Sequence, residues 1–251
     1  MKGKKPLISV ITVVFNGILQ IEDTIKAIIN QNYKNFEYII IDGGSIDGTV
    51  EIIKKYEPSI SKWISEPDYG LYDAMNKGLK IAKGKYVWFI NAGDKPYLEN
   101  TFQIVADLAL DNPDIIYGET IIIDSSGNEI GSRRLRPGPS LNWRSLKDGL
   151  VVCHQAIIIK KEITGNYNIN YKIASDYDWI IRALKKAGNI VYANAVLIYF
   201  LDGGINKKNM AKALGERFKI MVKNFGYIPV LLYHVKFAAR VLFFYLKHKR
   251  I

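Results

Sequence analysis

The feature that most constrains this chain is the alternation in its first hundred residues. Four short apolar runs, LISVITVVF (7–15), FEYIIID (36–42), SKWISE (61–66) and KYVWFIN (85–91), are separated by stretches with helical spacing. Runs this short and this rich in Val and Ile read as buried strands. Among the helical stretches, Leu71, Ala74, Met75, Gly78, Leu79 and Ala82 form one apolar stripe that ends at Gly84. Strands that alternate with helices predict an α/β fold with a mostly parallel sheet, because each parallel crossover needs an intervening helix.

Beyond Leu98 the grammar changes. A helical segment runs to about Asp111, and then DIIYGETIIID, the turn SSGN and EIGSRR read as a hairpin, so the sheet is expected to become mixed. The segment RPGPSLNWRSLKDG (136–149) reads as a long loop before AIIIKK. A helix over about 174–187, a strand near NIVYANAVLIYF and a Gly-Gly loop follow. The expected division is a domain over 1–206, with halves of about 1–98 and 99–206, and a helical tail over 207–251.

Composition narrows the function. The hydrophobic fraction of 49% is ample for a packed core, and the single cysteine, Cys153, permits no internal disulfide and suggests a reducing compartment. The three histidines are too scattered for a zinc cluster. The opening MKGKK followed by an apolar run imitates a secretory signal, but it has no small-x-small site and its β-branched residues favour a strand. The net charge of +11 is local: residues 207–251 hold eleven Lys and Arg and one acid, Glu216, so the tail carries +10 of it.

In open α/β sheets ligands bind beyond the carboxyl ends of the strands. The polar groups delivered there are Phe15-Asn16, Asp42, Glu66 to Asp68 and Asn91 to Asp94. Turn and capping chemistry accounts equally well for Asp42 in DGGSIDGT and Asp68 in PDYG, but less well for Asp94. After strand one there is neither a Gly-rich phosphate loop nor G-x-G-x-x-G, which argues against a sugar nucleotidyltransferase and a dinucleotide oxidoreductase.

The ordered set SVITVVFN, IIIDGGSIDGT, SEPDYGLYDAMNKGLKIAKGKYVWFINAGD, CHQA and SDYD resembles family 2 glycosyltransferases, particularly the bacterial ones that build exopolysaccharide, colanic acid, capsule or O-antigen. The resemblance runs from about Leu7 to Gly204. It implies the GT-A fold, a nucleotide-sugar donor with UDP as the default, a divalent cation (Mg²⁺ or Mn²⁺), and inversion at the anomeric carbon. It places Thr12, Phe15, Asn16 and Asp42 around the donor's base and ribose, and Asp68 and Lys77 near ribose and diphosphate. NAGD stands at the family's Asp-x-Asp-like motif, with Asp94 as metal ligand and Asn91 where many relatives have an acid; one carboxylate then leaves the donor phosphates to complete the site. Asp176 matches the catalytic base, Asp178 is the alternative, and His154 and Gln155 fall on the acceptor or diphosphate side. LDGGINKK resembles the Gly-Gly-x-Ser loop, with Asn206 for Ser.

In the tail, Pro229 suits a helix start, and Lys236, Arg240 and Lys247 share one stripe beside Leu231, Leu232, Phe237, Val241 and Phe244. This pattern is too short and too charged to span a bilayer; a core helix laid across the domain is one reading, and the aromatic bulk beside a basic stripe favours a helix lying in an anionic lipid interface, rather than on nucleic acid. The expectation is peripheral attachment at the cytoplasmic face of the inner membrane, next to an acceptor that the resemblance suggests is linked to polyprenyl diphosphate. A membrane-surface or nucleic-acid binder with a degenerate site is the non-enzymatic alternative.

Overall fold

The computed structural model describes residues 5–203 and 210–235. Its centre is a nine-stranded mixed sheet in the order β3-β2-β1-β4-β8-β6-β9-β5, with β7 beside β6. The strands β1 (Ile8–Val14), β2 (Phe36–Asp42), β3 (Lys62–Ser65) and β4 (Tyr86–Phe89) are parallel, as the alternation predicts. Direction then reverses. β8 (Ile157–Lys160) runs antiparallel to both β4 and β6 (Ile115–Ile123), which continues into the hairpin partner β7 (Glu129–Ser132). The long β9 (Ile190–Leu201) lies parallel to β6 and pairs at its far end with the two-residue β5 (Lys95–Pro96).

Both faces of the sheet are covered, which explains the unbroken apolar runs. Alternate residues divide between two cores. Ile11, Val13, Val87, Phe89, Ile157 and Ile159 face α3 (Leu71–Ile81), α6 (Ser175–Lys186) and α7 (Met210–Phe225). Ile8, Val10, Tyr86, Trp88, Ile90 and Ile158 face α1 (Ile21–Ile29), α2 (Thr49–Lys55) and α4 (Thr101–Leu108). A single turn, α5 (Lys161–Thr164), follows β8. The helix α7 belongs to the packed body: Ile220 and Met221 are buried in the first core, and Phe225 stacks on Trp143 with ring centroids 5.6 Å apart.

Gly84 has a different purpose from the one its position suggests. Helix α3 stops at Ile81, and Ala82 ends it in an extended conformation rather than through a left-handed glycine. A Cβ on Gly84 would stand 2.5 Å from Ser9 N and 2.8 Å from Ile8 C, so the missing side chain lets the chain entering β4 lie against the backbone of β1. Gly84→Ala should therefore force two backbones apart and cost about 1–3 kcal/mol. A thermal melt should fall by about 2–10 °C; an unchanged midpoint would contradict the close approach.

Candidate active site

The loops after β1 and β2 are fastened to each other before any ligand arrives. Asn16, with φ of 49°, donates its backbone N–H to Ser45 Oγ at 2.7 Å and accepts from Ile46 N–H through Oδ1 at 3.1 Å. Asp42 is fully buried. Its Oδ2 accepts from Gly44 N, Ser45 N and Ser65 Oγ, and its Oδ1 from Ser45 Oγ. The carboxylate is thus committed to the loop, the turn chemistry that the sequence also allowed. Thr12 likewise faces inward: its hydroxyl donates to Ile90 O at 2.7 Å and accepts from Tyr38, so it ties β1 to the end of β4 and does not reach the rim.

Phe15 remains on the rim, 63% exposed, where a flat ring can meet a base. Asp68 lies against the backbone of Gly43, where a Cβ would collide with it, and accepts from Gly70 N–H at 2.7 Å. Lys77 Nζ stands 2.9 Å from Glu66 and 3.8 Å from Asp73, and donates to Pro67 O. It braces the β3–α3 connection, and a phosphate would have to compete with these partners.

The residues after β4 turn tightly. Gly93 sits at φ 99°, and a Cβ there would be 2.6 Å from the Leu201 side chain, so the glycine makes room for the end of β9. Asp94 is 3% exposed, and its Oδ1 accepts from Leu201 N–H at 3.0 Å. Burial raises the Asp94 carboxyl to about 7, against hydrogen bonds from Leu201 and the Gln155 side chain that favour the anion. Asp94 does not cap α4, whose N-cap is Asn100. Asn91 Oδ1 is buried and has no hydrogen-bond partner among the described residues.

His154 and Gln155 follow from the same junction. Trp88 of β4 donates its indole N–H to Gln155 O at 2.7 Å, which anchors the turn preceding β8. His154 points into an aromatic wall of Phe89, Tyr167 and Trp179, with Nε2 2.6 Å from the Tyr167 hydroxyl. Burial holds the imidazole down at about 4, against a weaker opposite pull from Asp176, so it is neutral at pH 7.

The two aspartates of SDYD have separate fates on α6. Asp178 is 2% exposed and bound to Arg182 Nε at 2.7 Å, which makes it a strut inside the helix layer. Asp176 is only partly buried; its Oδ1 accepts from Tyr177 N–H at 2.8 Å and lies 3.2 Å from the Tyr72 hydroxyl. His154 is linked to the Asp176 side through Tyr167, which stacks on Tyr72 beside the Asp176 carboxylate, while the Gln155 carbonyl is held by Trp88 at the end of β4. Tyr72, Tyr167 and Trp179, a stacked series at 5.6 and 4.7 Å, were not legible as site residues, because nothing in their spacing distinguishes them from core aromatics.

The residues present fit a hard divalent cation incompletely. Among the described residues no three His, Cys, Asp or Glu side chains gather. Asp94 offers one carboxylate, and Asn91 an oxygen that still lacks a partner. That is enough for a cation that takes its remaining ligands from donor phosphates. Residues 204–209, which hold all of the Gly-Gly-x-Ser-like loop after Gly203, lie outside the described residues.

The chain is similar to known proteins in sequence and in fold. Glycosyl transferase family 2 matches residues 9–167, and the chain belongs to that family of enzymes. It is 31% identical over 194 residues to an uncharacterized glycosyltransferase of Mycobacterium tuberculosis, covering 71% of this chain and 69% of the relative. It is also 40% identical over 98 residues to the putative teichuronic acid biosynthesis glycosyltransferase TuaG of Bacillus subtilis, 38% and 39% of the two chains. Its fold matches TarS of S. aureus, solved with UDP-GlcNAc, with a TM-score of 0.70 at 18% identity, over 86% of this chain and 66% of that one, just under two thirds of its length. It also matches the mannosyltransferase PcManGT of Pyrobaculum calidifontis, solved with GDP-Man and Mn²⁺, with a TM-score of 0.64 at 17% identity, over 93% and 69%. The GT-A architecture expected from the sequence is therefore the one observed.

The buried, neutral His154 has a measurable consequence. Its folded pKa of about 4 lies below the ordinary 6.5, so the stability it contributes is present above pH 6.5 and is lost as the pH falls toward 4. The shift corresponds to about 3 kcal/mol. His154→Gln should show a smaller drop in melting temperature between pH 7 and pH 4.5 than the native chain; equal drops would contradict the buried neutral ring.

Proposed function

We propose that this enzyme transfers a sugar from a nucleotide-diphosphate sugar, with UDP as the expected nucleotide, to a hydroxyl of a saccharide acceptor of the bacterial surface, by single displacement with inversion. The observation that carries this reading is that Asp94 lies buried after β4, accepting from Leu201 N–H, while Asp176 stays only partly buried at the start of α6 beside the Tyr72 hydroxyl, which suits the first carboxylate to the donor side and the second to the acceptor side. The nucleotide-sugar complexes of TarS and PcManGT support the donor class, and the teichuronic acid relative supports a saccharide acceptor.

In this mechanism Phe15 stacks on the base, and Asn16, Asp42 and Asp68 shape the ribose pocket, Asp42 by fixing the loop. Asp94 and Asn91 would hold a divalent cation together with the donor diphosphate; when bound it neutralises charge growing on the leaving group. Asp176 accepts the proton of the acceptor hydroxyl while its oxygen forms the new bond to the anomeric carbon. The old anomeric C–O bond breaks with its electron pair going to the diphosphate. Buried Tyr72, whose phenol is held well above its ordinary range by burial and then by Asp176, stays protonated and keeps the carboxylate aimed.

Asp176→Asn should lower kcat by about 10²–10⁴ while donor affinity stays within a few-fold. Asp94→Ala should abolish the dependence of donor affinity on Mg²⁺ or Mn²⁺. Calorimetric titration of the nucleotide-free protein with either cation should show only weak binding, and tight binding would contradict a site completed by the donor.

The tail supports a membrane-proximal acceptor, such as a polyprenyl-diphosphate-linked one. Residues 227–235 are helical and present Ile228, Leu231, Leu232 and Val235 to solvent at three- and four-residue spacing, while Val230 anchors the opposite face in the core. Lys236, Arg240, Lys247, Phe237, Val241 and Phe244 lie outside the described residues. No helix among the described residues is long and apolar enough to cross a membrane. We expect binding to the surface of anionic vesicles. The double change Leu231→Ser and Leu232→Ser should weaken it by about tenfold or more, whereas unchanged sedimentation with vesicles would refute the attachment.

A further inference from the structure

Glu216 is the sole acid in the basic stretch 207–251, and the mechanism above leaves it unused. It projects from α7 onto the N-terminal approach of α6. Its Oε1 accepts from Lys172 N–H at 2.9 Å, and its Oε2 from Ile173 N–H at 2.8 Å and Ala174 N–H at 2.9 Å. Three successive backbone donors thus converge on one carboxylate, an anion cradle built by the main chain. Glu216 is 9% exposed; burial raises its pKa, but the three N–H bonds outweigh that and leave it below the ordinary range.

The strand of backbone it grips leads directly to Asp176. Helix α6 has Ala174 at its N-cap and no side-chain cap of its own, so the segment preceding it depends on outside partners. Glu216 supplies them on the N–H side. On the carbonyl side the Tyr72 hydroxyl donates to Ile173 O at 2.7 Å, and the same hydroxyl stands 3.2 Å from Asp176 Oδ1. The Ile173 residue is therefore clamped from both sides, three positions before Asp176.

We infer that Glu216 is a positioning residue for transfer: from α7 it fixes the 172–174 backbone and so sets the aim of the Asp176 carboxylate at the acceptor hydroxyl. The inference rests on Asp176 as base. Displacement of a catalytic group by about 1 Å can cost 10²-fold in rate, so a loosened clamp should act on kcat.

The test uses the full chain and the UDP-, GDP- or dTDP-sugar that turns over fastest in a panel, with nucleotide-diphosphate release as readout. Glu216→Ala should lower kcat by about 10–100-fold with donor KM within about twofold, and Glu216→Gln, which keeps the shape and one acceptor oxygen, should lower it less. In an Asp176→Asn background, Glu216→Gln should leave the residual rate unchanged, because there is no base left to aim. If Asp176→Asn abolishes turnover while Glu216→Ala and Glu216→Gln keep the native kcat, or if Glu216→Gln slows the Asp176→Asn variant as much as the native chain, the positioning role is overturned. If Asp176→Asn itself keeps full kcat, the base assignment falls first and takes this role with it.

Discussion

The antiparallel pairing of β8 onto β4 is the constraint on which the rest of the site depends. Only two residue pairs make it, Tyr86 with Lys160 and Val87 with Ile159, yet it joins a parallel half that delivers loops to one rim to a second half built on β6 and β9. Because β8 runs the opposite way, the turn that precedes it lies beside the end of β4. That is why Trp88 can hold the Gln155 carbonyl. A parallel β8 would have carried the His154-Gln155 turn to the far edge of the sheet.

Burial and bonding then separate the polar residues near the rim into those already satisfied and those that are not. Asp42, Thr12 and Asp178 each sit close to the chemistry in sequence, but each is saturated: by its own loop, by the Ile90 carbonyl and by Arg182. Asp94 and Asn91 are the opposite case, one a buried carboxyl pushed up to about 7 and the other a buried oxygen without a partner among the described residues. A protein interior holds such groups at a cost unless a ligand completes them. The contrast is consistent with a donor and cation binding on the Asp94 side, and a partly open Asp176 meeting the acceptor.

The parallel strands and α3 were legible because covering both faces of a sheet demands continuous Val and Ile runs, and one covered helix face demands an apolar stripe. The hairpin of β6 and β7 was legible from its turn residues. The purposes of particular residues were not, since they depend on neighbours far along the chain. Gly84 read as a helix stop but clears space for β1, and Thr12 read as a rim residue but bonds 78 positions away. Glu216 was visible as a lone acid among eleven basic residues; its partners at 172–174 required the packing of α7 on α6. The family pattern points to Asp176 rather than Asp178; in the structure Asp178 is paired with Arg182 and Asp176 is the more open of the two.

The central claim is a single displacement with donor and acceptor held on opposite sides of the anomeric carbon. The direct measurement is the proton NMR spectrum of the first-formed glycoside, taken with a donor of known anomeric configuration. An anomeric coupling that shows the opposite configuration from the donor is the predicted result. Retention of the donor's configuration would contradict the mechanism and the role given to Asp176.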